Sequence, residues 1–371
     1  MLEQDWVLRL MPEQENVLDL IREQEAQAFQ MSQRGAIFQP GAIGDCILTL
    51  PLAKFIKDSL GLGGIDIFGH TEYLGIFPGR TCVDTICSIE LVDLHRLFVC
   101  AADFELVDGD ALIGLMADYS WIVSFLGEPD SDFEQNLIFT ANCSRSAEVM
   151  ILSMKPPPDL SKHVSFFYVR QFINQCGLSL ELPQFRPDGA LIKATDSDIK
   201  KGRELLSRAG IRSGRGLVVI HPGSGGLHKC WHADNFLAIA KELVANGLAL
   251  VFLVGPAEMD RFDAGAIARM NSLAPCLTDL SLTEVLQVLA CAGAFLGNDS
   301  GTTHLAAALG VRTAAVFGPT DPNIYRPIGP AVSIFVDHSA DFTRYPSPAL
   351  QNEILTALIR TSRDQRGCIK P

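Results

Sequence analysis

The chain has no CxxC or HExxH pattern, no GxGxxG loop and no surplus of basic residues, although it carries ten cysteines and eight histidines. Each absence removes a class of function. Cysteines such as Cys46, Cys82, Cys87, Cys143, Cys230 and Cys291 are scattered, most of them in apolar segments, which predicts reduced core thiols in a cytosolic protein rather than disulfides or a zinc site. His221, His228, His232 and His304 lack adjoining ligand spacing, so they read as loop or packing histidines and no metal centre is predicted. Without GxGxxG a dehydrogenase is disfavoured. A formal net charge of -13 argues against nucleic acid and anionic lipid surfaces as partners.

Long apolar runs are missing too. Residues 248–254 and 286–296 are too short or too interrupted to span a bilayer, and Glu3, Asp5, Glu13 and Glu15 stand where a signal peptide would be basic. A cytoplasmic location is the resulting expectation, with membrane association at most peripheral.

What the chain does have is length and alternation. At 371 residues and 48% hydrophobic composition it exceeds one ordinary core, which predicts two domains with a cleft between them. Residues 1–33 read as an amphipathic helical extension. From Ala36 the pattern is apolar strand, glycine turn, helix, with later strands at Ile65–Phe68, Thr85–Cys87 and Trp121–Phe125. Turn formers Pro183, Pro187, Asp188 and Gly189 place a boundary at 187/188, before a charged helix over 196–209. A second alternation follows: strands at 217–220, 248–254, 294–296 and 313–317, and helices at 235–246, 259–270, 282–291 and 302–309. The predicted class is α/β, with residues 34–187 and 188–340 as two Rossmann-like domains and 341–371 as a terminal helix and tail. Ligands of such parallel sheets lie beyond the strands' carboxyl ends.

Three glycine-rich loops stand at those ends. Gly41-Ala42-Ile43-Gly44-Asp45 leaves the first strand; Asp45 suits either a helix cap or a catalytic base, and the loop alone leaves both open. His221-Pro222-Gly223-Ser224-Gly225-Gly226 offers backbone N–H groups to an anion, and Lys229 adds a point charge. Gly297-Asn298-Asp299-Ser300-Gly301-Thr302-Thr303-His304 opens a helix whose unpaired N–H groups attract phosphate. Asp299, Ser300 and His304 lie within about one helical turn, too close for a Ser–His–Asp relay.

Together and in this order, the loops resemble glycosyltransferase family 9, the ADP-heptose:lipopolysaccharide heptosyltransferases, over about residues 35–335. The resemblance is carried by Gly223 with Lys229-Cys230-Trp231, Gly255 with Glu258, Asp299 through His304, and Phe317-Gly318-Pro319-Thr320-Asp321-Pro322. It implies the GT-B architecture, two Rossmann-like domains facing a central cleft, and inverting, metal-independent sugar transfer without a cofactor. It further implies Asp45 as the base and Lys229 as the phosphate contact in catalysis. Gly44, Gly223, Ser224, Gly225, Glu258 (toward the ribose), Asp299, Ser300, Gly301, Thr302 and His304 are implied to surround the donor.

The implied partners are a nucleotide-sugar donor, ADP-linked in the family, and a glycan or glycolipid acceptor at the inner face of the bacterial inner membrane. Residues 91–162 carry no such motif, and acidic residues outnumber basic ones roughly two to one across the first domain, which points to an acceptor less anionic than the family's. The terminal amphipathic stripe Leu350, Ile354, Leu355, Leu358 and Ile359 is expected to cross back to the first domain. A nucleotide-sugar-binding protein without turnover, or a GT-B sugar-nucleotide epimerase, fits the same loops.

Overall fold

The structure, a computed structural model, describes residues 33–90, 93–183, 189–211, 216–262, 264–337, 342 and 348–364. The expected helical extension, Gln33 apart, and the boundary at 187/188 lie outside the described residues.

The first half runs β1 (Arg34–Gln39), α1 (Ile43–Ser59), β2 (Gly64–Gly69), α2 (Thr71–Leu74), β3 (Thr85–Ser88), α3 (Ala111–Met116), β4 (Trp121–Ser124), α4 (Asp132–Ala141), β5 (Glu148–Ile151) and α5 (Val164–Gln175). The second half runs α6 (Asp196–Arg208), β6 (Leu217–His221), α7 (Ala233–Ala245), β7 (Ala249–Leu253), α8 (Pro256–Arg261), α9 (Ala264–Leu273), β8 (Cys276–Leu277), α10 (Leu282–Leu289), β9 (Ala294–Asn298), α11 (Gly301–Ala308), β10 (Arg312–Phe317), α12 (Pro322–Tyr325), β11 (Val332–Val336) and α13 (Pro348–Asp364).

Two parallel sheets result, ordered β3-β2-β1-β4-β5 and β11-β10-β9-β6-β7-β8. Their central strands are buried on both faces, so β1 and β6 read as continuous apolar runs. Ile37 pairs with Ile67 on one side and Val123 on the other; Val219 lies between Val251 and Phe295. Strand order reverses at β1/β4 in one sheet and at β6/β9 in the other, and a crevice at the carboxyl ends of such a pair is where ligands bind. The loops after β1, β6 and β9 are the three glycine-rich segments. This is the two-domain α/β arrangement expected, with both sheets parallel.

Several features join the halves. The first turns of α1 and α11 touch: a Cβ added to Gly301 would lie 2.7 Å from the Ile43 Cβ, and one added to Gly44 would lie 3.3 Å from the His304 ring. One apolar cluster is continuous from Ile47 and Val169 through Leu305 and Ile328. The guanidinium of Arg80 forms a forked pair with Asp198, both contacts 2.7 Å, and the Arg80 carbonyl accepts from the Lys193 N–H. The Asp198 side chain is 2% exposed; it also caps α6 through Thr195. His163 Nε2 contacts the Arg326 carbonyl at 2.8 Å.

The terminal helix departs from expectation. The stripe of α13 packs on the second half, Ile354 and Leu358 joining the cluster of Phe236, Leu243 and Val316, while Gln351 donates to Asn235. An amphipathic stripe states only that an apolar surface covers it, and the face of α7 beside β10 supplies one. The helix expected over 259–270 is divided into α8 and α9 because Phe262 is extended, with φ -81° and ψ 136°.

Arg80→Ala would leave Asp198 buried with only Thr195 and Gln287 as side-chain partners among the described residues. It is expected to reduce unfolding free energy by about 2–4 kcal/mol in urea titrations at pH 7. The Arg80 hydrogen bond, working against burial, holds the Asp198 carboxyl far below its ordinary range. A depressed carboxyl stabilises the fold above its unfolded-state value and loses that contribution as pH falls. The gap between wild type and variant should therefore narrow as pH drops below about 4; a gap independent of pH would deny the pair this role.

Candidate active site

A cleft of about 430 Å³ opens between the two switch points, bounded by Gly44, Asp45 and Leu48 of α1, the loop Ser224–Gly226, His228, Lys229, Asp299–Gly301, His304, Thr320 and Tyr325. It gathers Gly44, Asp45, Ser224, Gly225, Lys229, Asp299, Ser300, Gly301 and His304 from the residues anticipated by sequence. Gly223, Glu258 and Thr302 do not line it.

Asp45 is the third residue of α1, half-buried, and its Oδ2 accepts the Ala42 N–H at 3.1 Å. The cap and the cleft position thus coincide: one carboxylate oxygen holds the helix start, and the group faces the opposite domain. Burial pushes its carboxyl above the ordinary range, against the Ala42 N–H and the charges of His304 and Lys229. A raised carboxyl is a stronger base than a solvated one.

Across the cleft, Asp299 closes β9 and precedes α11. Its Oδ2 accepts from the Lys229 ammonium at 2.9 Å, and its Oδ1 lies 3.6 Å from His304 Nε2. Burial works to raise this carboxyl, yet the nearby His304 ring, followed by the Lys229 ammonium, holds it down at about 2. Asp299 is therefore an anion between two nitrogen groups. An ammonium has three N–H donors, and one of those on Lys229 is engaged with Asp299. The buried Nδ1 of His304 has no partner among the described residues.

The helix start is fixed locally. Ser300 Oγ accepts the Thr303 N–H at 3.3 Å, Thr303 Oγ1 donates to the Asn298 carbonyl, and Ser300 itself is extended at the cap. Asn298 ties the two loops of the second domain together, accepting the Trp231 N–H at 2.9 Å and donating to the Pro222 carbonyl at 2.8 Å. Ser224 Oγ donates to the Asp299 carbonyl at 2.7 Å. Trp231 is buried, its indole N–H on Asp337 at 3.0 Å, so it anchors the loop in the core.

Gly223 and Glu258 meet beneath the cleft. Glu258 is 4% exposed, and its Oε2 accepts the Gly255 N–H at 2.9 Å as the cap of α8. A Cβ on Gly223 would fall 1.8 Å from Glu258 Oε1. A side chain at 223 would have to displace the buried Glu258 carboxylate, a use of glycine that sequence spacing does not distinguish from contact with a ligand.

Tyr325, His228 and Arg261 carried no functional reading in the sequence. Burial raises the Tyr325 phenol, with Asp45 and then Asp299 adding to it. No local signal marks Tyr325, which reaches the cleft from α12, the helix after β10. Among the described residues, no helix is long and apolar enough to cross a membrane, and no group of three or more His, Cys, Asp or Glu is placed to hold a metal ion.

Residues 173–347 match the model of glycosyltransferase family 9 (heptosyltransferase). Lipopolysaccharide heptosyltransferase 3 of Escherichia coli is 31% identical over 131 residues, 34% of this chain and 38% of that one, so the chain spans well under half the length of that relative. The fold is shared with solved structures. A family 9 glycosyl transferase from Veillonella parvula superposes with a TM-score of 0.66 at 14% identity, covering 89% of this chain and 98% of that one. The ADP-heptose lipopolysaccharide heptosyltransferase II of Escherichia coli superposes with a TM-score of 0.65 at 16% identity, covering 89% and 99%. Residues 173–347 are thus similar to glycosyltransferase family 9 (heptosyltransferase), and the chain shares the GT-B fold of these solved structures.

Proposed function

We propose that the chain transfers a sugar, with inversion, from a nucleoside-diphosphate sugar to a hydroxyl of a glycan or glycolipid, using no metal ion and no cofactor. The observation that carries this reading is the juxtaposition, in one cleft, of the basic carboxylate Asp45 with Lys229, Asp299 and the first turn of α11. An ADP-linked heptose is the donor proposed, after the names of the relatives, and the cytoplasmic side of a membrane is the proposed place of action.

In this mechanism the acceptor oxygen attacks the anomeric carbon as Asp45 takes its proton. The bond from that carbon to the diphosphate oxygen breaks, and the electron pair leaves on the diphosphate. Attack and departure on opposite faces invert the centre, through an oxocarbenium-like state. The charge growing on the leaving group meets the Lys229 ammonium and the N–H groups of the Ser224–Gly226 loop and of Gly301, groups fixed before reaction begins. Asp299 keeps Lys229 extended toward this position.

Asp45→Asn retains an acceptor for the Ala42 N–H and so should fold as wild type. Its turnover is expected to fall by about 10²–10⁴-fold, with donor affinity unchanged in calorimetry; wild-type turnover would remove Asp45 from the chemistry. Because burial raises this carboxyl and the base must be ionised, wild-type kcat/KM should fall as pH drops through a value above the ordinary carboxylate range. That acid limb should vanish in Asp45→Asn.

Lys229→Ala should lower kcat/KM by about a hundredfold, with the loss shared between donor affinity and turnover. Turnover left intact with only binding weakened would confine Lys229 to the ground state. Product analysis without acceptor, which returns an isomerised donor only for an epimerase, separates that second activity.

A further inference from the structure

Arg261, the last residue of α8, donates through Nη1 to the Ser224 carbonyl at 2.7 Å and through Nη2 to the Gly225 carbonyl at 2.9 Å. These carbonyls belong to consecutive peptide groups. In a trans peptide the C=O of one residue and the N–H of the next point in opposite directions across the same plane. Both carbonyls being held by one guanidinium therefore turns the N–H groups of Gly225 and Gly226 away from Arg261. Ser224, Gly225 and Gly226 line the cleft. Neither the Gly225 nor the Gly226 N–H donates to a protein acceptor among the described residues.

The same short helix braces the loop at a second point, since Glu258 fills the space that a side chain at residue 223 would need. A loop with glycine at three of four positions would otherwise sample many backbone states, each with its dipoles aimed differently. The planar fork of Arg suits two carbonyl oxygens at once; a lysine ammonium, a point donor on a flexible stem, does not reproduce that geometry.

We infer that Arg261 is a positioning residue that aims the Gly225 and Gly226 N–H groups at a diphosphate, which it does from behind the loop rather than by touching the ligand. This inference rests on the cleft being the diphosphate site proposed above. It goes beyond that reading in assigning anion affinity to a residue outside the cleft lining, acting through peptide orientation.

Calorimetry with ADP and with inorganic pyrophosphate, which carries the diphosphate without a base, tests it on wild type, Arg261→Ala, Arg261→Lys and Arg269→Ala. The last removes an equal charge from an exposed pair with Asp234. Arg261→Ala is expected to weaken both ligands about tenfold, Arg261→Lys by less, and Arg269→Ala negligibly. In ¹⁵N-glycine-labelled wild type, pyrophosphate should shift the Gly225 and Gly226 amide signals, and in Arg261→Ala it should not, although thermal unfolding is unchanged. Wild-type affinity in Arg261→Ala, or an equal loss in Arg269→Ala, would overturn the inference while leaving the diphosphate reading standing. No binding of either ligand by wild type would overturn the diphosphate reading and the inference with it.

Discussion

The first turns of α1 and α11 approach so closely that residues 44 and 301 have room for little or no side chain. Each turn presents backbone N–H groups and the positive end of a helix dipole, so their meeting concentrates charge of one sign in a small volume. Two carboxylates answer it. Asp45 binds the N–H of Ala42, and Asp299 stays ionised between Lys229 and His304. The rest of the site follows from this contact, because it brings residues some 250 positions apart in sequence onto one cleft and leaves that cleft suited to an anion.

Opposite effects act on the two carboxylates. Burial wins at Asp45, which is raised, while paired charge wins at Asp299, which is lowered. Environments that separate two acids in this way divide their roles: the raised carboxyl is the stronger base, and the lowered one serves as a fixed charge. The latches away from the cleft, Arg80 on Asp198 and His163 on the Arg326 carbonyl, keep the two halves in the register that this division requires.

Backbone-dictated features were the legible part of the sequence. The turns after β1, β6 and β9 announced themselves because glycine beside apolar runs has a geometric cause, and the alternation of strand and helix implied both parallel sheets. Side chains recruited by tertiary return were not legible: Tyr325 and Arg261 carry no local pattern that separates them from surface residues. Glu258 was legible as a motif position but not in its contact, for only the folded chain shows its carboxylate wedged against Gly223. The stripe of α13 predicted burial correctly while leaving the covering surface open, and it packs on α7 rather than on the first domain. β5 and β8 were not anticipated; β8, at two residues, is too short for alternation to reveal.

Lys229, the Ser224–Gly226 loop and the start of α11 should hold one diphosphate, with Asp45 facing it from the start of α1. Co-crystallisation with ADP examines this directly. The diphosphate is expected within hydrogen-bonding distance of Lys229 Nζ, the Gly225 and Gly226 amides and the α11 start, with the Asp45 carboxylate open to the space beyond the terminal phosphate. A diphosphate bound elsewhere, or Asp45 closed off from it by the protein, would rule out this shared site.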